Sequence, residues 1–531
     1  MRQLTLLSLT MFALALLSYP RAQAQVWTSQ YDNARTGAYL GEKTLTPQNV
    51  NAKQFGKLFK FTVDGDVYAQ PLYVPDVEIP SKGKHNVIYI ATENDSVYAF
   101  DAEGNSAAPL WQVSLASGKG AAPVPAREVD CPFIRPVVGI TSTPVIDLKA
   151  GTLYVLARTQ QSAGLLSGTH YSQKLHALAL TTGVEKFGGP VEIKASLPGS
   201  GAGSAGGSVE FDPLRENPRA ALLLLNDAVY MTWASSCDVG PYHGWVMAYD
   251  AQTLKQKAVF NVSPDAEEGG IWAGDTGLTA DSAGNIFVAT GNGKFDAASK
   301  GRDYGDSMLK LSLGADGLAV RDYFTPENQE QLNRSDSDLG SGGPLLLPDQ
   351  PGPHQHLLLI GGKGGTIYLL DRDRLGQYQR VTHADPLQTI PAASDILSAM
   401  GYWNNHVYFL GSQDVLRDFV LEQGRLTLKT SARGPKFTDP GATPTISANG
   451  TKNGIVWVIG TKTWNGGDRP AVLHAYDAAN VQNELYHSEE NSVRDHAGTA
   501  LRFTIPTVVN GRVYIGTKSE VDAYGLLPLA K

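Results

Sequence analysis

A strand pattern recurs eight times along this chain of 531 residues, and it restricts the possible folds more than any other feature. Each copy is a short apolar strand, a turn, and a second strand that ends near an acidic or small residue. The second strands begin at Val97, Leu175, Val246, Met308, Ile367, Asp418, Leu473 and Val521. Their starts lie 48 to 78 residues apart. A repeat of this length made of strands is typical of a β-propeller in which each copy is one blade.

The sequence therefore predicts an all-β fold, an eight-bladed β-propeller with few helices. A seven-bladed ring is the alternative, because the sixth copy, about residues 396–430, is short. Only six residues follow Gly525, too few for the outer strand of the last blade, whereas Phe55 to Thr62 has no blade of its own. We expect this N-terminal strand to complete the last blade, which leaves no free sheet edge between the termini.

The first 24 residues have the features of a secretory signal peptide. Arg2 is followed by an apolar run from Leu4 to Leu17, and Ala22-Gln-Ala24 fits a cleavage site after Ala24. The run is too short for a membrane anchor. We expect residues 25–531 to form one propeller domain that is periplasmic or secreted. Without Arg2 and Arg21 the chain has 42 basic and 52 acidic residues, which argues against nucleic acid as a partner.

The sequence contains two cysteines, Cys131 and Cys237, which lie near the entries to adjacent repeats. In an exported protein, two cysteines allow one intramolecular disulfide. We therefore predict a Cys131–Cys237 bridge; two separate buried thiols are the alternative.

Unusual polar residues occur at equivalent loops of the third, fourth and fifth repeats. These residues are Asp238, Trp272, Asn292, Asp336, Asp338 and Lys363. Loops on one face of a propeller converge towards its axis, so we expect these side chains to share a cavity. Carboxylate and amide oxygens are ligands for a hard cation such as calcium, and a tryptophan with a lysine suits a flat, anionic, aromatic cofactor. Taken singly, each residue also has a structural explanation, since Asn292-Gly293 is a common hairpin turn and Trp272 could pack between blades.

These segments resemble the quinoprotein alcohol dehydrogenases, eight-bladed propellers that bind pyrroloquinoline quinone and a metal ion. The resemblance rests on Gly269-Gly-Ile-Trp272, Thr290-Gly-Asn292-Gly293 and the segment GGKGGTIYLLDR around Lys363. It implies that Trp272 stacks on the quinone and that Lys363 and Arg135 contact it. It further implies that Asp238, Asn292 and Asp338 bind the metal, and that Asp336 or Asp338 is the catalytic base.

The resemblance implies a pyrroloquinoline quinone-dependent dehydrogenase that oxidises an alcohol or a sugar. No C-x-x-C-H haem attachment motif is present, so electrons would pass to a separate acceptor. The chain departs from the family because only Cys131 stands where the family has two adjacent cysteines, and because Tyr68-Ala-Gln-Pro71 lacks a cofactor-contacting glutamate.

Two further possibilities concern the ion and the function. The second carboxylate of the Asp336-Ser-Asp338 pair adds negative charge, which favours a trivalent lanthanide over calcium. The departures from the family favour a non-catalytic propeller that serves as a binding scaffold of the cell envelope. Hydrolysis or lyase chemistry on a polysaccharide by the same carboxylates is a third possibility.

Overall fold

Eight four-stranded antiparallel sheets follow one another along the chain and form the blades of a β-propeller. The computed structural model describes residues 24–162, 168–383, 385–392, 394–461 and 469–528. The predicted signal peptide, apart from Ala24, lies outside these residues. The fold confirms the eight-bladed prediction and excludes the seven-bladed alternative, because the short sixth repeat forms a complete sheet of its own.

The blades are numbered in chain order, each from its first strand to its fourth. The strands of blades 1 to 4 are Leu72–Ile79, Gly83–Ala91, Ser96–Asp101 and Trp111–Ser114; Val145–Asp147, Thr152–Ser162, Thr169–Ala179 and Val191–Glu192; Leu223–Leu225, Ala228–Trp233, Trp245–Asp250 and Gln256–Asn261; and Thr279–Ala280, Ile286–Ala289, Met308–Gly314 and Gly317–Thr325. The strands of blades 5 to 8 are Leu345–Leu346, Leu357–Gly362, Thr366–Asp371 and Gln388–Pro391; Gly401–Trp403, His406–Phe409, Arg417–Glu422 and Arg425–Ser431; Thr445–Asn449, Lys452–Gly460, Val472–Asp477 and Glu484–His487; and Thr507–Val509, Arg512–Thr517, Glu520–Leu526 and Phe55–Thr62.

Short elements decorate the blades. The additional strands are Ala38–Tyr39, Ala121–Pro125, Val137–Val138, Ser196–Pro198, Ser208–Glu210 and Gln377–Tyr378. The helical turns are Ala273–Asp275, Ala297–Ser299, Gln329–Arg334, Leu339–Ser341, Gln379–Thr382 and Ser492–Asp495. Within the described ranges no helix has the length and apolar character needed to span a bilayer.

The ring closes as the sequence predicts. Phe55–Thr62 pairs antiparallel with Glu520–Leu526, with Phe55 opposite Leu526 and Thr62 opposite Glu520. The outer strand of blade 8 thus comes from the N-terminal part of the chain and its other three strands from the C-terminal part. The strand pairing between them holds the first and last blades of the ring together.

Buried tyrosines join neighbouring blades through a recurring hydrogen bond. Four tyrosines of second strands donate their hydroxyl to a backbone carbonyl of the next blade: Tyr89 to Leu180, Tyr154 to Ala251, Tyr408 to Ala478 and Tyr514 to Ala102. The apolar part of each ring packs between the sheets while its polar end is satisfied. The tyrosines that recur in the second strands of the repeat therefore link each of these blades to the next one.

An N-terminal segment, residues 26–37, contacts the innermost strand region of every blade, which the repeat pattern did not predict. Its hydrogen bonds reach Tyr73, Ile146, Leu222, Leu224, Leu278, Ala280, Leu346, Tyr402, Ile446 and Val508. Arg35 is fully buried in this segment and donates to Thr28, to the carbonyl of Ser29 and to the carbonyls of Leu222 and Leu278. One guanidinium therefore bridges the segment and blades 3 and 4.

We expect Arg35→Met to lower the free energy of unfolding by about 2–3 kcal/mol, because it leaves four buried acceptors without their donor. Urea denaturation followed by circular dichroism measures this loss. Arg425→Met, at an exposed position in blade 6, is the matched control and should change stability by less than about 0.5 kcal/mol. Equal stability of the two variants would contradict the assignment.

Candidate functional site

A cavity of about 170 Å³ is lined by loops from blades around the ring. The contributing loops connect second to third strands, or the fourth strand of one blade to the first strand of the next. The lining residues are Val129, Cys131, Phe133, Ile134, Val138, Asn217, Arg219, Ser235, Ser236, Cys237, Asp238, Trp272, Gly274, Asp338, Ser341, Lys363, Leu397, Arg502 and Phe503. Four of the predicted site residues line this one cavity: Asp238, Trp272, Asp338 and Lys363.

Lys363 lies between the two aspartates that follow blade 4. Its ammonium is 2.6 Å from Oδ2 of Asp338 and 2.9 Å from Oδ1 of Asp336. Burial lowers the pKa of Lys363, but the two carboxylates outweigh this effect and raise the pKa above its ordinary value. The Asp338 side chain is 4% exposed and that of Asp336 is 67% exposed. Asp338 is therefore the aspartate inside the site and Asp336 lies at its edge.

Asn292 connects the same two aspartates. Its backbone N–H donates to Oδ1 of Asp338 over 2.9 Å, and its side-chain Nδ2 donates to Oδ1 of Asp336 over 2.8 Å. The buried Oδ1 of Asn292 has no hydrogen-bond partner in the described part of the chain, and the same holds for the buried Nε1 of Trp272. Unpaired buried polar atoms are costly, so both atoms are suited to receive a ligand.

Gly291 allows these groups to approach one another. A Cβ at this position would lie 2.1 Å from Oδ1 of Asp338 and 2.9 Å from Nε1 of Trp272. Any side chain here would displace both residues. The glycine before Asn292 is thus required by the close approach of the carboxylate and the indole to the backbone.

The buried carboxyl group of Asp306 supports the backbone next to Asp338. Oδ1 of Asp306 accepts the backbone N–H of Leu339 over 3.1 Å, at the turn that follows Asp338. Burial raises the pKa of Asp306 well above its ordinary value, and the charge of Asp338 raises it further. Asp306 therefore fixes the backbone that carries Asp338.

Asp238 lies on a turn at the edge of the cavity. Its Oδ1 accepts the hydroxyl of Tyr242 over 2.8 Å, and its backbone N–H donates to Oγ of Ser235 over 2.9 Å. Burial raises the pKa of Asp238, the Tyr242 hydrogen bond lowers it, and the charge of Asp338 raises it, so that the net pKa is raised. Asp238 and Asp338 both line the same cavity.

The predicted disulfide is confirmed. Cys131 and Cys237 are bonded, with Cα atoms 5.5 Å apart, and both line the cavity. Cys131 comes from the loop between Ala121–Pro125 and Val137–Val138, and Cys237 directly precedes Asp238. The bridge therefore ties two walls of the cavity together.

Arg135 differs in position from the other predicted site residues, because it is exposed and does not line the cavity. Two other arginines line it. The guanidinium carbon of Arg502 lies 4.2 Å from the ring centre of Phe133, and that of Arg219 lies 4.6 Å from the ring centre of Phe503. Both arginines are on connections between blades, as Trp272 is, but no local motif marks them. The only sequence signal for Arg219 and Arg502 as cavity residues is their position on connections between repeats.

The donor set is compatible with a metal ion. In the ranges that the structure covers, no group of three or more His, Cys, Asp or Glu side chains could hold a metal ion. The predicted set has a different composition, since it combines the carboxylates of Asp238 and Asp338 with the amide oxygen of Asn292. Because that amide oxygen is buried and unpaired, a hard cation fits the chemistry of these ligands.

No family model and no curated protein matches the chain. Solved structures match over almost all of it. The quinohemoprotein alcohol dehydrogenase ADHIIG from Pseudomonas putida HK5 has a TM-score of 0.63 and 15% identity, covering 95% of this chain and 81% of its own. The quinohemoprotein alcohol dehydrogenase from Comamonas testosteroni has a TM-score of 0.60 and 14% identity, covering 96% and 82%.

A europium-containing methanol dehydrogenase matches with a TM-score of 0.58 and 12% identity, covering 95% of this chain and 98% of its own. At such low identity the likeness concerns the fold. The chain has the β-propeller fold of the quinoprotein alcohol dehydrogenases.

Proposed function

We propose that this chain is an exported quinoprotein dehydrogenase that oxidises an alcohol or a sugar with pyrroloquinoline quinone. The observation that carries this proposal is the joint arrangement in one cavity. The ion pair between the buried Asp338 and the partly exposed Lys363 lines the cavity. The neighbouring residues Asn292 and Trp272 each have a buried atom, Oδ1 and Nε1, without a protein partner in the described ranges. Buried polar atoms that have no partner within the protein can be satisfied by a bound ligand.

The residues on the cavity suit the groups that the resemblance implies. Trp272 and Lys363 would contact the quinone, and Arg219 and Arg502 line the same cavity as cationic partners for its carboxylates. Asp238, Asn292 and Asp338 would hold calcium, with Asp336 close enough to add charge for a lanthanide. When bound, the quinone and the metal supply a hydride acceptor and a Lewis acid.

Asp338 is the proposed general base. It is the buried member of the aspartate pair, and as a carboxylate it forms an ion pair with Lys363 and accepts the Asn292 N–H. In this form it can take the proton of a substrate hydroxyl. Lys363 then offsets negative charge that develops in the cavity, and the apolar residues Val129, Ile134 and Val138 limit the access of water. A separate electron acceptor would complete the reaction.

Reconstitution tests the proposal. The purified protein, mixed with pyrroloquinoline quinone and calcium and then freed of unbound quinone, should retain the quinone absorbance and lose it on addition of alcohol or sugar. Trp272→Ala is expected to weaken quinone binding by about 5- to 150-fold, since stacking contributes about 1–3 kcal/mol. Trp111→Ala, at a tryptophan that does not line the cavity, should retain the quinone.

A wild-type protein that retains no quinone would overturn the proposal. Replacing calcium by lanthanum, in the wild type and in Asp336→Ala, tests the lanthanide prediction.

A non-catalytic binding scaffold is the second candidate. The specific observation in its favour is that the Lys363 ammonium forms ion pairs with both Asp336 and Asp338, so that these carboxylates have a cationic partner within the chain itself. Under this alternative, neither the wild type nor Lys363→Met would bind quinone, and the substitution would only lower the free energy of unfolding. The reconstitution experiment separates the two candidates directly.

A further inference from the structure

We propose that the Cys131–Cys237 disulfide and Tyr242 are positioning groups that keep the Asp238 carboxylate at the cavity, so that ion and quinone binding there require the oxidised disulfide. The ligands in this inference rest on the proposed function. The positioning itself rests on the backbone and contacts around Asp238.

The backbone at this turn is unusual. Cys237 has φ 55° and Asp238 has φ 54°, so two consecutive residues with side chains adopt the left-handed conformation. This region is disfavoured for residues other than glycine, and it persists only where the surroundings hold it. Asparagine and aspartate tolerate this conformation best, so Cys237 is the residue of this turn that most needs a restraint.

Three contacts supply this restraint. Oγ of Ser235 accepts the N–H of Asp238, the hydroxyl of Tyr242 donates to its carboxylate, and the disulfide holds the preceding residue. Tyr242 is 3% exposed, so its hydroxyl has a fixed direction. The hydrogen bonds orient Asp238 from its own loop, whereas the disulfide is the covalent link to a different loop.

The other end of the disulfide is firmly anchored. Cys131 packs against a buried apolar cluster formed by Tyr68, Val124, Val129, Ile134, Val138 and Leu501. Val124 and Val138 also pair across the short hairpin that carries Cys131. The disulfide therefore connects the Asp238 turn to a part of the cavity wall that is packed into the fold.

Reduction would remove this link and leave Ser235 and Tyr242 as the remaining restraints. The turn could then relax towards right-handed backbone angles, which would rotate the Asp238 carboxylate away from the cavity. The cavity wall at residues 129–138 would lose its tie to the same turn. We expect the affinity for a hard cation to fall by at least 10-fold while the blades remain folded.

A terbium titration tests this inference on the full-length protein. Bound Tb³⁺ is detected by luminescence sensitised through tryptophan, and Trp272 lines the same cavity. The titration compares the oxidised wild type, the wild type reduced with a phosphine, and Cys131→Ser/Cys237→Ser. Both forms without the disulfide should bind at least 10-fold more weakly, and Tyr242→Phe about 3- to 10-fold more weakly. Circular dichroism confirms that each form is folded.

The same titration in an Asp238→Asn background separates positioning from general support. If the disulfide acts through Asp238, its removal in this background should change the remaining affinity by less than 2-fold, since coupled residues are not additive. An equal loss in both backgrounds would mean that the disulfide merely supports the fold, and it would overturn the inference. Unchanged affinity of the reduced wild type would overturn it as well.

Hydrogen exchange tests the inference without any ligand. Reduction should increase exchange in residues 234–240 while exchange in the strands of blade 3 stays constant. Unchanged exchange in residues 234–240 would overturn the inference even if the dehydrogenase proposal holds. Conversely, if the oxidised wild type binds neither Tb³⁺ nor quinone, the proposed function fails, while the exchange result still decides whether the disulfide holds the turn.

Discussion

Replacement of Asp338 by asparagine is expected to lower the quinone-dependent rate of alcohol or sugar oxidation by about 10²–10⁴-fold, the range associated with loss of a general base. Asparagine fills the same space beside Gly291 and can still accept the Asn292 N–H. It cannot take a proton from a substrate hydroxyl. The measurement is kcat of the reconstituted protein, with quinone retention determined in parallel so that binding and rate are separated.

Asp336→Asn is the matched control for this prediction, because Asp336 contacts the same Lys363 ammonium from an exposed position. It should lower kcat by less than about 10-fold. If Asp336→Asn is the more damaging variant, the assignment of the base is reversed. If neither variant changes the rate, the proton is taken by another group and the proposed mechanism is wrong.

Replacement of Glu93 by glutamine is expected to stabilise the protein at alkaline pH. Glu93 is 1% exposed and Asp66, which faces it, is 4% exposed. Oε2 of Glu93 has no hydrogen-bond partner among the residues that the structure describes. Burial, and next the charge of Asp66, raise the pKa of Glu93 to about 9; burial also raises that of Asp66 to about 6.

The direction of the pH effect follows from the raised pKa. The native protein holds a proton on Glu93 that the unfolded chain, with an ordinary pKa near 4.5, has already released. Stability is therefore fully present below about pH 4.5 and declines as the pH rises towards 9. At 1.36 kcal/mol for each unit, the loss by pH 7.5 is about 4 kcal/mol.

Glu93→Gln should remove most of this decline, because an amide needs no proton to remain neutral. Urea midpoints at pH 5 and pH 8.5 measure the effect: the variant should match the wild type at pH 5 and exceed it clearly at pH 8.5. Glu327→Gln, at an exposed position, is the control and should follow the wild type at both values. A variant that is less stable than the wild type at pH 8.5 would show that the Glu93 carboxylate has a favourable partner.

The architecture was predictable because each copy of the sequence repeat corresponds to one blade. The eight repeated strands are recognisable because each sheet is buried on both faces, which requires apolar residues along the strand. The closing strand at Phe55 to Thr62 is recognisable because the last repeat ends before its fourth strand. The disulfide was predictable because two cysteines allow only one intramolecular pairing. These inferences use local patterns and counting, which a single sequence contains.

The inner details of the site were less accessible. Asp338, Asn292, Lys363 and Trp272 stand in recognisable segments, whereas Arg219 and Arg502 reach the cavity from connections that carry no motif. The sequence also could not separate Asp336 from Asp338, since their different exposure depends on how the turn at residues 336–341 packs against Gly291. Arg135 was predicted to contact the quinone because it lies close to Cys131 in the sequence. Its exposed position shows that proximity in a loop does not determine which side chains face the cavity.

The segment at residues 26–37 has a consequence for the order in which the fold can assemble. Its partners extend from Tyr73 to Val508, so its hydrogen bonds cannot all form until Val508 has been synthesised. At about 5–20 residues per second, this takes about half a minute to two minutes. During that time the earliest residues remain without their final partners, and the blades already made lack the segment that runs along their inner strands. The fold is therefore complete only after blade 8 has been made, and residues 26–37, which precede every blade in the chain, are among the last to reach their native contacts.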